Sequence, residues 1–332
     1  MLYLTTRSKT DSYTDYRTLF EDKAPNGGFF IPYQIPQLDP KQISELKTKS
    51  FGETVAFILN LFYAGRIIAW DIDCCIGKMP VQLVSANQRI FLAKLWGNPE
   101  KSYQFICRKI YAKLCADERD ECTNWAYIAI RVSVLFGIYG ILQNSGIKSF
   151  DICVNSNFLS DAMAVWYARY MGLPIGRIIC SGSENGIIWD LFYKGELNTS
   201  ELLSDSADHT AVERLIFAAI GFDETQKFVD ASNKKGIYRV SADRLKELNR
   251  GMHIFVVSKE RSAYVLSAFL AANGILLDPF AAESCGGLQD FRSKTGESTN
   301  TVLLWDHSPV HFVSAIEKAT GFNRQEIEKY NG

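Results

Sequence analysis

The sequence is poor in the features that mark metal, redox and nucleic-acid proteins. Its eight cysteines, at 74, 75, 107, 115, 122, 153, 180 and 285, include no C-x-x-C pair, the usual sequence mark of a zinc or dithiol site. Several lie inside apolar segments, where a free thiol serves as a small buried hydrophobe. Histidine is scarce, with four in 332 residues. His307 and His311 stand four apart, but Pro309 between them places a helix start at Ser308. His307 then precedes the helix, so the two rings share no face and no metal is expected. A formal net charge of −1 provides no field for nucleic acid or an anionic membrane. No uncharged apolar run reaches the roughly eighteen residues that cross a bilayer. The opening, MLYLTTRSKTDSYTDYR, has no basic-then-apolar leader, and a cytoplasmic protein is expected.

What remains is an ordinary globular composition, 47% hydrophobic and 22% charged, with length for two or three domains. The chain is organised around Asp151 to Asn185, DICVNSNFLSDAMAVWYARYMGLPIGRIICSGSEN. An apolar run ends at Cys153-Val154, and the polar turn Asn155-Ser156-Asn157 follows. An amphipathic segment from Leu159 to Met171 carries Ala162, Val165, Trp166 and Arg169 at three- and four-residue spacing. Gly172 suits a left-handed cap and Pro174 stops the helix. A second apolar run, Arg177 to Cys180, completes strand, turn, helix and strand. In such a unit the helix start is where an anion would sit.

Other segments have equally plain patterns. Met1 to Pro36 gives a short strand, a helix around Asp15 to Glu21 and a glycine turn into an extended run ending at Pro32. Residues 41 to 66 are helical, with Phe51, Val55, Ile58, Leu59 and Phe62 on one face, and 67 to 80 form a helix end and connection. Val81 to Trp96, centred on Ile90 to Ala93, is a strand. Helices are predicted over Tyr103 to Cys115, Tyr127 to Gln143, Ala211 to Ile220 and Glu260 to Asn273. Asp223 to Arg250 is a peripheral, polar helical stretch. Strands are predicted near 90–93, 150–154, 177–181, 253–257 and 301–305.

Several phrases then resemble the threonine synthases, which are pyridoxal-phosphate (PLP) enzymes of the tryptophan-synthase-β fold type. Thr5-Thr6-Arg7-Ser8 and Asn26-Gly27-Gly28-Phe29-Phe30-Ile31-Pro32 are similar to the family's opening phrases. So are Thr123-Asn124-Trp125-Ala126, Tyr170-Met171-Gly172-Leu173-Pro174-Ile175, Ser183-Glu184-Asn185 and Leu276-Leu277-Asp278-Pro279. The resemblance implies fold class α/β: PLP fold type II with a small helical N-terminal domain, residues 1–80, and an α/β domain, residues 81–332. It also implies that the family's second α/β subdomain is largely deleted between 105 and 124.

The same resemblance shows what has changed. Gln104 stands at the position of the lysine that forms the Schiff base, and an amide nitrogen is not nucleophilic. Lys101 could serve only if the local register shifts. The glycine-rich phosphate turn is replaced by Asn155-Ser156-Asn157-Phe158-Leu159. Trp305 and Asp306 stand where a hydroxyl residue would meet the pyridine nitrogen, so Asp306 is the remnant of that side. The implied reading is a catalytically inactive homologue that acts as a binding or assembly module and takes no cofactor. The alternative is an active enzyme, or a binder of a small phosphorylated amino-acid-type anion lined by Asn155 to Asn157 and Ser181 to Glu184. Its partner would be a protein or another copy of the chain, with no nucleic acid and no membrane.

Overall fold

The computed structural model describes residues 1–331 apart from 78–80, 87–88, 98–101, 117–122, 156–158, 184–189 and 203–206. The amino-terminal part pairs β1 (Leu2–Thr5) with β2 (Ser8–Thr14) and β3 (Phe30–Pro32), in the order β2-β1-β3. Four helices accompany it: α1 (Asp15–Phe20), α2 (Pro40–Glu45), α3 (Phe51–Phe62) and α4 (Ala69–Ile76). Capping boxes start α2 and α3, with Asp39 and Gln42 at one and Ser50 and Glu53 at the other. Each box satisfies orphan amides that the first helical turn leaves open.

The body is built on β4 (Gln82–Ala86), β5 (Ile90–Lys94), β6 (Phe150–Asn155), β7 (Ile175–Gly182), β10 (Met252–Val256) and β11 (Thr301–Trp305). They form a sheet in the order β10-β7-β6-β11-β5-β4. Every pairing is parallel except β4 with β5. The small antiparallel pair of β8 (Glu196–Asn198) and β9 (Ile237–Arg239) lies outside it.

Helices cover both faces. Those between β5 and β9 are α5 (Tyr103–Cys115), α6 (Trp125–Asn144), α7 (Leu159–Tyr170), α8 (Ala207–Ile220) and α9 (Phe222–Asn233). After β9 come α10 (Ala242–Leu248), α11 (Lys259–Asn273), α12 (Pro279–Thr295), α13 (Val313–Thr320) and α14 (Arg324–Glu328). Strand side chains alternate between the two faces. Ala93, Ile152, Val154, Ile178, Cys180, Val302 and Leu304 pack with α3, α5, α6, α7 and α8. Ile90, Leu92, Cys153, Ile179, Leu303 and Trp305 pack with α11, α12 and α13. Burial on both faces is why these strands are continuous apolar runs rather than alternating ones.

Helix α6 is long and apolar enough to cross a membrane by length and composition, yet 89% of that stretch is buried inside the protein. It is the central core helix, apolar all round because α3, α5 and α7 enclose it.

The five strands read from the sequence all occur, as do the helices over 103–115, 127–143, 211–220 and 260–273. Three readings need correction. Residues 81–96 form a hairpin, β4 and β5, rather than one strand. Its turn carries no glycine; Arg89 itself takes φ 59°, so the usual turn signal is missing. Residues 223–250 are not uniformly helical, because β9 separates α9 from α10 and pairs with β8. Helix α12 and strand β2 were not anticipated. For α12 the signals were present: Asp278 caps it, Pro279 occupies its first turn and Gly296 closes it in the left-handed conformation.

Gly172 does end α7, at φ 106°. A Cβ there would stand 2.8 Å from the Leu38 carbonyl oxygen, beside the bond from Leu38 N to Met171 O. Gly172→Ala is therefore expected to lower stability by about 1–3 kcal/mol, through strain at positive φ and the clash. Chemical denaturation measures this, and an unchanged midpoint would contradict it.

Candidate functional site

Parallel strands β5, β6 and β11 all end on one edge of the sheet, as do the starts of α5, α7 and α12. In open α/β sheets that edge is where ligands bind. The sequence-derived site residues meet this edge in different ways.

Gln104 lies in the first turn of α5, and its side chain is exposed. The inward positions of that turn belong to Tyr103, 3% exposed, and Cys107, fully buried. Helix phase decides this: with 3.6 residues per turn, Tyr103 and Cys107 share the buried face and Gln104 does not. Lys101 lies outside the described residues, as do Ser156, Asn157 and Phe158 of the turn, and Glu184. Leu159 opens α7 with its side chain buried. Asn155 ends β6, and its amide donates to Phe280 O at 3.1 Å and Glu283 Oε2 at 2.9 Å, both on α12.

Asp306 follows β11 directly. The residue is only partly buried, but its Oδ1 is enclosed without a hydrogen-bond partner. Burial raises its carboxyl well above the usual range, and the nearby carboxylates of Asp161 and Asp278 raise it further; Arg131 opposes them.

The structure adds residues that sequence reasoning missed. Arg131 of α6 and Asp161 of α7 form a buried ion pair, Nε to Oδ1 at 2.7 Å. The Arg131 guanidinium lies 5.6 Å from the Tyr103 ring centre. Beside them the Cys107 thiol is pushed up to about 12 by burial. Asp278 caps α12 through Oδ1, which accepts from Phe280 N at 2.8 Å and Ala281 N at 3.2 Å. Its Oδ2 is enclosed without a partner, and burial raises its pKa to about 7. On the opposite face of β5, Lys94 Nζ sits 4.0 Å over the Trp96 ring and 5.9 Å from that of Trp305. Burial lowers the pKa of Lys94.

The edge thus holds three aspartates, Asp161, Asp278 and Asp306, around one arginine. Arg131 can neutralise only one of them, so burial favours the neutral carboxyl at the other two. A neutral carboxyl can donate as well as accept a hydrogen bond. The only signal available in sequence was the Asp278-Pro279 cap; the rest depends on helices brought together in space.

His307 packs against Phe280 and Phe312, with ring centres 5.5 and 5.8 Å away. Among the described residues no group of three or more His, Cys, Asp and Glu side chains is placed to hold a metal ion. The seven described cysteines are free thiols, five of them buried.

Comparison with known proteins gives this geometry a context. The family model described as "Threonine synthase N terminus" matches residues 2–79. The threonine synthase of Pseudomonas aeruginosa is 27% identical over 205 residues, 59% of this chain and 43% of that protein. The chain therefore spans under half the length of such curated relatives. Among solved structures, PLP-bound threonine synthase from Brucella melitensis superposes with TM-score 0.85 at 18% identity. That superposition covers 99% of this chain and 94% of the other. Yeast threonine synthase gives TM-score 0.81 at 16% identity, over 99% and 91%.

Proposed function

For a chain that belongs to the threonine synthase family, and has its α/β, PLP-fold-type-II architecture, we propose loss of catalysis and a role as a cytoplasmic binding or assembly module. Its partner is a protein or a second copy of this chain. The observation that carries this reading is Gln104. It stands where the family's Schiff-base lysine belongs, and it is an exposed amide on a helix whose inner face is filled by Tyr103 and Cys107.

The other residues at the edge also fit PLP poorly. A phosphate cradle needs backbone that can come close without a Cβ in the way. Leu159 puts a buried isobutyl group at the head of α7 instead, and the Asn155 amide is committed to α12. Asp306, at the pyridine side, is a carboxyl that burial drives towards its neutral form. Between Gln104 and Asn124 the described chain is the single helix α5. That supports a domain layout of 1–80 and 81–332 without the family's second subdomain. No chemical step through the cofactor is derived for this chain.

A second reading, a binder or enzyme for a small anionic metabolite at this edge, is favoured by one observation. Arg131, Asp161, Asp278 and Asp306 form a charged cluster in a region where charge is costly. Such clusters gather at functional sites more often than elsewhere.

The test is inorganic phosphate release from O-phosphohomoserine with PLP supplied, for wild type and for Gln104→Lys. Neither is expected to turn over. A new amine would supply an anchor without the cradle, and orientation accounts for roughly 7–11 kcal/mol of such barriers. Turnover by wild type would refute the inactive reading. Turnover by Gln104→Lys alone would show that the phosphate cradle and substrate wall survive. A ligand of the second reading would show itself as thermal stabilisation that follows RT ln(1 + [L]/Kd).

A further inference from the structure

We propose that a second site, at the opposite end of the sheet, binds an amphiphilic monocarboxylate, a molecule with an aliphatic or aromatic body and one anionic head. A cavity of about 630 Å³ lies there, between the segment that carries α2 and the loops that enter β6 and β7. Its volume is within the range of pockets that hold small organic ligands. Leu38, Ile43, Tyr139 and Ile147 supply an apolar floor, and Lys47 and Lys148 stand at its rim. Strand β6 separates it from the edge described above by roughly 17 Å, at 3.3 Å per residue. The inference is thus independent of the proposed loss of catalysis.

Charge selects the ligand class. Neither Lys47 nor Lys148 has an acidic partner among the described residues, and no aspartate or glutamate lines the cavity. The two nearest acids are already engaged: the Asp39 carboxylate accepts from Gln42 N, and Glu45 faces Lys41 at 4.0 Å. The carboxyl ends of α6 and α7 open towards the cavity, each with about half a negative charge. Two full lysine charges exceed these, and both ammonium groups are in solvent where they can swing onto a carboxylate. The apolar floor rejects a small hydrophilic anion, because wetting it would gain nothing. Pro40 and Gly172 narrow the cavity between the amino-terminal segment and the body, so an occupant would tie the two together.

Isothermal titration of the full chain with octanoate at low ionic strength tests this. One site with Kd on the order of 0.1 mM is expected for a ligand of this size. Octanamide, of equal shape and no charge, is expected to bind at least about ten-fold more weakly. Lys47→Gln and Lys148→Gln, both at exposed positions that leave the core untouched, should each weaken octanoate roughly five-fold. Lys113→Gln, on α5, should leave it unchanged. Absence of heat up to about 5 mM octanoate, equal binding of octanamide, or indifference to both rim lysines would each overturn the proposal. Loss of binding in Lys113→Gln would place the site elsewhere and overturn it equally. None of these outcomes touches the phosphate-release experiment, so the two readings fail separately.

Discussion

Arg131→Met is expected to destabilise the fold by about 3–5 kcal/mol. The side chains are similar in length, so little packing is lost and the effect isolates the charge. In the wild type, Arg131 Nε meets Asp161 Oδ1 at 2.7 Å with both side chains nearly enclosed, 11% and 6% exposed. Asp278 and Asp306 stand close enough to act on the same charges. Removing the arginine leaves Asp161 without its partner beside two further carboxyl groups. Breaking a buried pair from one side carries a cost of this size, because the remaining charge has no compensation. The double variant Arg131→Met/Asp161→Leu should recover most of the loss, since an apolar replacement of a whole buried pair is often neutral. Urea unfolding followed by tryptophan fluorescence measures both. A single variant within about 1 kcal/mol of wild type would mean that water or a neighbour already neutralises Asp161. A double variant no better than the single one would mean that Arg131 acts through packing against Tyr103, not through charge.

Asp278→Asn should stabilise the protein at neutral and alkaline pH and do little in acid. The carboxyl is fully buried, and its pKa rises from 3.8 to about 7 on folding. A group whose folded pKa is raised binds its proton more tightly in the native state. Its favourable contribution is complete below pH 3.8 and is lost as pH climbs to about 7, after which the loss is constant. At 1.36 kcal/mol per unit, the penalty at pH 8 is on the order of 4 kcal/mol. Asparagine retains the capping oxygen for Phe280 N and Ala281 N and carries no charge, and it ranks with aspartate as an N-cap. The variant should therefore gain up to a few kcal/mol at pH 8 and nearly nothing at pH 4. Thermal unfolding of both proteins across pH 4 to 8 measures the difference. A gap that is flat over this range, or that widens towards acid, would contradict the assignment of burial as the cause.

Much of the scaffold was legible in the residues themselves. The strands at 90–94, 150–155, 175–182, 252–256 and 301–305 are short, β-branched and apolar at both parities. Burial on both faces imposes that pattern, so the pattern reports it. Helix ends were readable where a side chain caps them. Ser102 accepts from Phe105 N at the start of α5, Asn124 accepts from Tyr127 N at the start of α6, and Gly274 closes α11. The family phrases were readable for a related reason: they lie at turns and helix ends, where few residue types are tolerated.

The chemistry of the edge was a different matter. That Gln104 is not an amine is a property of the sequence. That it faces solvent while Tyr103 faces the core depends on how α5 is rotated against α6, which only packing decides. Tyr103, Arg131, Asp161, Asp278 and Asp306 come from three helices, a helix cap and the end of a strand. Their meeting follows from the strand order, which places β11 between β5 and β6. No local rule of spacing encodes such a convergence. The shifts of Asp278 and Asp306 arise from desolvation and from each other's charge, and both exist only once the chain has closed around them. The cavity between α2 and the loops before β6 and β7 is likewise a product of docking, with walls more than a hundred residues apart in the chain. Sequence therefore determined which elements form and which reactive group is missing. Tertiary structure decided which side chains are buried together, because desolvation and long-range contact are properties of the folded surface and of no single segment.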